Sequence, residues 1–296
     1  MRYLVTGGGG FLGSELVAEL IKGKKNEVYV FDNAMYGAIS RPPPAVKSHI
    51  VGNIKDFYAI SKAVEVAKPD VIFHLAAFIT RPETVGEFRM CAEVNHLGTA
   101  HLLESCLRGK GKPKQIIFAS SEAVRNPTSH YGISKRAAES LLASVCPVTG
   151  IKLGILRFSE IYGVSKVQSS KSLVNFLVDN MVVNKSVAIF DANKKKDYVH
   201  ISDAVRACKA AIKVADPFFR VDIGPGEPVV TKDLVDKLRT LIEFKGEIKY
   251  LEHGAVRIVD SIADPLPAKQ LLGFECTADF DAELKALIKK RKKDLS

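Results

Sequence analysis

With 296 residues, 47% of them hydrophobic, the chain has ample material for a core and could form one large domain or two. Its net charge of +10, with lysines gathered at 22–25, 194–196 and 289–293, suits an anionic substrate, but no aromatic-rich stacking platform accompanies it, so a nucleic-acid partner is not expected. No stretch is long and apolar enough to cross a bilayer, no cleavable signal precedes the first strand, and Cys91, Cys106, Cys146, Cys208 and Cys276 lack CxxC spacing. The expectation is therefore a cytosolic chain with buried free thiols, no membrane partner and no metal.

The first element is a strand, Tyr3-Leu4-Val5, followed by Thr6-Gly7-Gly8-Gly9-Gly10-Phe11-Leu12-Gly13 and then by helical spacing at Leu16, Val17, Leu20 and Ile21. Strand, glycine turn and helix N-terminus in this order make a pyrophosphate cradle. Backbone N–H groups and the positive helix end can approach a phosphate only where side chains are absent. The run reads as G-x-G-x-x-G on Gly8, Gly10 and Gly13, or as G-x-x-G-x-x-G on Gly7, Gly10 and Gly13. A second strand, Glu27 to Phe31, ends at Asp32, whose carboxylate would accept the ribose hydroxyls of NAD and repel the extra phosphate of NADP.

Arg41-Pro42-Pro43-Pro44 can be neither helix nor central strand and predicts a surface loop. Ser48 to Val51 reads as a third strand ending at Gly52-Asn53. The spacing of Phe57, Ile60, Val64 and Ala67 predicts an amphipathic helix stopped by Pro69-Asp70. Val71 to Leu75 is apolar almost throughout, as in a parallel strand covered on both faces, and Ala76-Ala77 at its end would let a cofactor approach. His74 within that strand reads as a hydrogen-bonded core histidine. A helix is predicted from about Val85 to Leu107, then a strand from Gln115 to Ala119 feeding Ser120-Ser121-Glu122. A short connection from Ala123 to His130 leads into a helix carrying Tyr131 and Lys135.

Leu153 to Arg157 is a sixth strand, Ser165 to Lys171 a polar loop, Leu173 to Val183 a helix and Val187 to Phe190 a strand. Asp197-Tyr198-Val199-His200 opens a helix at Ile201 that Ser202 or Asp203 could cap. Arg220 to Gly224 reads as a returning strand, followed by a helix at Lys232 to Phe244, a strand at Ile248 to Leu251 and a helix at Ala278 to Lys290. Strands alternating with helices predict the α/β class, a doubly wound parallel sheet. The main body would take residues 1–163 with 197–224, and a smaller C-terminal α/β lobe would take 164–196 and 225–296.

Tyr131 and Lys135 lie four apart on a helix, so their side chains share one face, and Ser121 ends a strand at the ligand edge of such a sheet. A tyrosine with a pKa near 10 is a poor base at neutral pH, but an adjacent ammonium and a positive nicotinamide ring would favour its phenolate. A shift of about three units needs roughly 4 kcal/mol, which two cations in a partly dry site can supply.

On these residues the chain resembles the extended short-chain dehydrogenase/reductases, in particular the NAD-dependent sugar-nucleotide epimerase/dehydratase group. The resemblance rests on Thr6-Gly7-x-x-Gly10-x-x-Gly13, Asp32-Asn33, His74-Leu75-Ala76-Ala77, Asn95 with Gly98-Thr99, Ser120-Ser121 and Tyr131-x-x-x-Lys135. Further along it includes Leu156-Arg157, Tyr162-Gly163, Asp197-Tyr198-Val199-His200 and Leu272-Gly273-Phe274. It implies a Rossmann fold and catalytic Ser121, Tyr131 and Lys135, with Lys135 also holding the nicotinamide ribose. Bound NAD would be held by Gly7, Gly10, Phe11, Leu12, Gly13, Asp32, Asn33, Asn53, Ile54, Leu75, Ala76, Ala77 and Asn95. It also implies a nucleotide-sugar substrate under a closing C-terminal lobe, and a homodimer built from two helices per subunit. The activity implied is epimerisation at carbon 4 through a transient 4-keto sugar, with a dehydratase or another dehydrogenase as the alternative.

The departures from the group fall mainly on the substrate side. The 124–131 segment is short, Glu160 stands where a substrate-binding Asn is common, Lys196 replaces a diphosphate-binding Arg, and Glu252 replaces a second one that Arg257 could make good. On the cofactor side, Asn53 replaces an Asp that usually meets the adenine amine. A dehydratase would need an acid two residues after the catalytic Ser, where this chain has Ala123, and the side chain of Glu122 is expected to point elsewhere.

Overall fold

Early strands that are buried along almost their whole length build a sheet covered on both faces. In the computed structural model, which describes residues 1–35, 43–79, 87–109, 111–167, 172–190, 192–252 and 260–295, the chain begins with β1 (Arg2–Thr6), α1 (Phe11–Leu20), β2 (Glu27–Asp32) and β3 (Ser48–Val51). It continues with α2 (Phe57–Ala67), β4 (Val71–His74), α3 (Glu87–Cys91), a π-helical turn (Ala92–Leu97) and α4 (Gly98–Arg108). Then come β5 (Gln115–Ser121), α5 (His130–Val145), β6 (Lys152–Phe158), β7 (Glu160–Tyr162), α6 (Leu173–Met181) and β8 (Val187–Phe190). After these follow β9 (Lys195–Lys196), β10 (Tyr198–His200), α7 (Ile201–Ala211) and β11 (Phe218–Ile223). The chain closes with β12 (Val229–Val230), α8 (Thr231–Ile242), β13 (Ile248–Leu251), α9 (Leu266–Leu272) and α10 (Phe280–Leu295).

Seven strands form one sheet in the order β3-β2-β1-β4-β5-β6-β11, every pair parallel. Leu4 pairs with Tyr29 and Ile72 and faces α2, α4 and α5, packing with Ile60, Leu102 and Leu142. Its neighbours Tyr3 and Val5 face α1 and α7, packing with Leu16, Val17, Ala204 and Val205. The strand order reverses between β1 and β4, and the crevice above such a reversal is where open α/β sheets bind ligands. A separate apolar cluster joins α6, β8, α8 and α10 through Leu177, Val178, Ile189, Leu234, Leu238, Leu284 and Leu287.

Several local expectations shift. The helix before β5 is interrupted by the π-helical turn, and its expected start at Val85 lies outside the described residues, as do Arg41, Pro42 and the end of the Ser165 to Lys171 loop. Tyr198 to His200 is a strand of its own, parallel to β7. The cap of α7 is His200, whose ring accepts the Ser202 N–H at 3.4 Å, whereas Asp203, on the first turn, pairs with Arg206 instead. The short helix α9 has no counterpart in the sequence reading; it ends where Gly273 adopts φ +58°.

Candidate active site

The turn after β1 is shaped by close backbone approach. Gly7 has φ +72°, and a Cβ there would lie 2.7 Å from the Ala76 nitrogen, while a Cβ on Gly13 would fall 2.1 Å from the Gly7 oxygen. These contacts select the register on Gly7, Gly10 and Gly13; Gly8 instead backs onto Val30 below the turn. Helix α1 starts from Gly10 with no side chain capping it, so its first N–H groups remain available to an anion. Asp32 braces the turn: one carboxylate oxygen accepts the Gly9 N–H at 3.0 Å and the other the Ala34 N–H at 2.9 Å.

Above the turn lies a cavity of about 330 Å³. Its lining includes Gly7, Gly10, Phe11, Leu12 and Gly13 of the turn, Asp32, Asn33, Asn53 and Ile54 from the ends of β2 and β3, Leu75, Ala76 and Ala77 after β4, and Ser121, Tyr131 and Glu160. The amide oxygen of Asn53 accepts the Lys55 N–H at 3.0 Å, so the expected adenine acceptor already serves its own turn. Asn95 is absent from the lining. It is buried and clamps the backbone of Phe78, accepting its N–H at 2.7 Å and donating to its carbonyl at 2.9 Å. It also donates to Ser134 Oγ, which donates to the Tyr131 carbonyl. Asn95 thus fixes the loop after β4 to the helix that carries Tyr131.

Ser121 and Tyr131 come from the end of β5 and the first turn of α5. A short connection separates them, with Ser129 Oγ accepting the Gly132 N–H at 3.0 Å to cap the helix. Gly132 permits the approach, since a Cβ there would lie 2.6 Å from the Ala123 oxygen. Arg125 pins the connection through an ion pair with Asp222 and a 3.0 Å bond to the Ile262 carbonyl. Lys135, one turn beyond Tyr131, is 1% exposed and does not line the cavity; its Nζ lies 3.9 Å above the Phe118 ring. Burial pushes its ammonium down to about 7, with Glu139 pulling it back up.

Beneath this centre is a group that sequence reasoning missed. Glu139 is 2% exposed, accepts from Ser120 Oγ at 2.6 Å, and takes both Arg157 Nε at 2.9 Å and Nη2 at 2.7 Å. Its signal was its spacing, one turn after Lys135 on the same helix face. His74 fills the core as expected, 2.8 Å from both Thr6 Oγ1 and Thr99 Oγ1, and burial together with Lys135 pushes it down to about 3, so it stays neutral.

On the substrate side, Glu160 lines the cavity but Lys196 does not. The two form an ion pair at 3.3 Å, with side chains 6% and 17% exposed. Glu122 turns away from the cavity toward Ser261, and burial, with Glu160 adding to it, raises its carboxyl to about 8. Asp197 is fully buried and gathers the segment, one oxygen accepting from Ser159 Oγ at 3.0 Å, Gly226 N–H at 3.1 Å and Ala263 N–H at 3.2 Å. Arg257 lies outside the described residues.

Residues 3–224 match the model of the NAD dependent epimerase/dehydratase family. The chain is 29% identical over 264 residues to a putative UDP-glucose 4-epimerase of Methanocaldococcus jannaschii, covering 83% of this chain and 84% of that one. It is 26% identical to a dTDP-D-glucose 4,6-dehydratase of Dictyostelium discoideum, covering 80% of this chain and 61% of that one. A crystal structure of UDP-glucose 4-epimerase from Thermotoga maritima with UDP-glucose matches over the whole of both chains, with a TM-score of 0.89 and 28% identity.

Proposed function

Since the chain belongs to the NAD dependent epimerase/dehydratase family, we propose that it epimerises a nucleotide-sugar at carbon 4 using NAD. The observation that carries this reading is that Ser121 and Tyr131 line the same cavity as the glycine cradle. The residues fit the cofactor: the cradle is one that a Cβ at Gly7 or Gly13 would fill, the N-terminus of α1 is open, and Asp32 lies at the end of β2. Gly7, Gly10 and Gly13 would hold the pyrophosphate, and Asp32 the adenosine ribose. NAD bound there supplies a reversible hydride acceptor.

In this reading Tyr131 takes the proton from the 4-hydroxyl and later returns it, and Ser121 holds that hydroxyl by a hydrogen bond. Lys135 favours the phenolate by its charge, which falls as pH rises through about 7. Asn95 acts by holding the loop and helix in place. Residues 164–196 and 225–296 form the substrate lobe. The dehydratase alternative is weakened by Ala123 and by the turn of Glu122 away from the cavity.

A homodimer through α3 to α5 fits the exposed Phe88, Leu97 and Ile133; the Phe88 ring lies 5.9 Å from that of His130, which is three residues from Ile133 on α5. A mass of one chain by light scattering would remove the dimer from this reading. Incubation with UDP-glucose, followed by NMR detection of inversion at carbon 4, tests the activity. No inversion with any nucleotide-sugar of a broad panel would overturn it. NAD should bind more tightly than NADP, and equal affinities in a titration would remove Asp32 from its assigned role.

A further inference from the structure

Glu160 holds its two carboxylate oxygens against groups of the kind that bind phosphate. One accepts the backbone N–H of Leu173, the first residue of the nine-residue helix α6; the other lies 3.3 Å from Lys196 Nζ. A helix N-terminus and a lysine are typical donors to a phosphate oxygen. Glu160 and Ser172, the residue just before α6, both face the cavity shared with Ser121 and Tyr131.

Lys196 is held from behind as well. Its strand is fastened by the Lys195 N–H to Asp260 at 3.0 Å and by a bridge from Lys196 to Ser261. Glu122 lies within electrostatic reach of Glu160, Lys196 and Asp197. Burial keeps a proton on Glu122 to about pH 8, with Glu160 and Asp197 adding to the shift and Ser261 and Lys196 opposing it. A lysine so enclosed is not extended toward an incoming ligand.

We propose that Glu160 is an internal anion of the substrate site: it occupies the Leu173 N–H and Lys196 that would otherwise receive a substrate phosphate. A phosphate-bearing ligand then binds by displacing it, and Glu160 sets both the affinity and the charge preference of the site. The inference rests on the nucleotide-sugar reading above. Glutamine is the informative replacement, because its amide oxygen can still accept the Leu173 N–H while its lost charge releases Lys196.

The test is calorimetric titration of wild type, Glu160→Gln, and the double variant Glu160→Gln with Lys196→Met, using UDP, uridine and NAD as probes. Glu160→Gln should bind UDP roughly ten- to a hundredfold more tightly than wild type, the size of one charge-assisted bond. Uridine and NAD should bind both proteins equally, and the gain for UDP should vanish in the double variant. If wild type binds UDP and Glu160→Gln binds it no more tightly, the proposal is overturned while the nucleotide-sugar reading stands. If neither UDP nor uridine binds any of the proteins, both fall. Should Glu160→Gln fail to fold, Glu160→Asp takes its place: its carboxylate is one methylene too short to hold both groups, and tighter UDP binding is again expected.

Discussion

The two ends of the cavity are built from different materials. At the cradle end the contacts are backbone to backbone, set by glycines at 7, 10 and 13 and braced by Asp32 only a short way along the chain. At the substrate end they are ionic contacts between side chains far apart in sequence, Glu160 with Lys196 and Arg125 with Asp222. Backbone geometry tolerates almost no substitution but is written locally. Charge pairs tolerate rearrangement, and their partners are chosen only by the fold. The cradle is therefore the conservative end of the molecule and the substrate end the adaptable one.

The largest expected effect falls where the two ends meet. Tyr131→Phe should lower turnover by about 10²- to 10⁴-fold while leaving NAD affinity near wild type, because only the proposed proton-transfer group is lost. Activity retained in full would detach the chemistry from the boundary between the ends. Glu139→Ala removes the support beneath that boundary and leaves Arg157, 13% exposed, without its bidentate partner. About 3–5 kcal/mol of stability should disappear, measurable by urea denaturation, since breaking a buried pair strands a charge. A loss below 1 kcal/mol would mean that the network is not a structural support.

Gly13→Ala puts a methyl 2.1 Å from the Gly7 oxygen. Overpacking of this kind costs about 1–3 kcal/mol, and it should weaken NAD binding while leaving UDP binding intact. Equal loss of both ligands would break the division between the ends. The remaining effect is a pH dependence at the substrate end. Glu122 titrates at about 8 in the fold against an ordinary value of 4.5, so its stabilising contribution is complete below about pH 4.5 and is lost as pH rises through 8. Relative to wild type, Glu122→Gln should therefore gain in urea midpoint between pH 5 and pH 8.5. A constant difference between the two proteins across that range would show that Glu122 ionises freely.

The sequence by itself determined the sheet, the glycine turn and the placing of Tyr131 and Lys135 one turn apart on α5, because each is specified over a few residues. Short runs that are apolar almost throughout set the strands, a glycine run sets the turn, and a spacing of four sets a helix face. The choice between the two glycine registers, which the sequence leaves open, took the tertiary approach of Gly7 to Ala76 as well as the contact of Gly13 with Gly7. Tertiary structure alone decided which charges met. No local pattern joins Glu160 to Lys196, Glu139 to Arg157, or Asp197 to the backbone of 226 and 263. It also made Asn95, expected at the cofactor, a clamp on Phe78, and it set Lys196, expected to face a diphosphate, against a carboxylate. Covalent spacing governs what neighbouring residues do, whereas a buried charge takes whichever partner the packed chain brings within a few ångströms, and that partner is known only once the strands have been ordered.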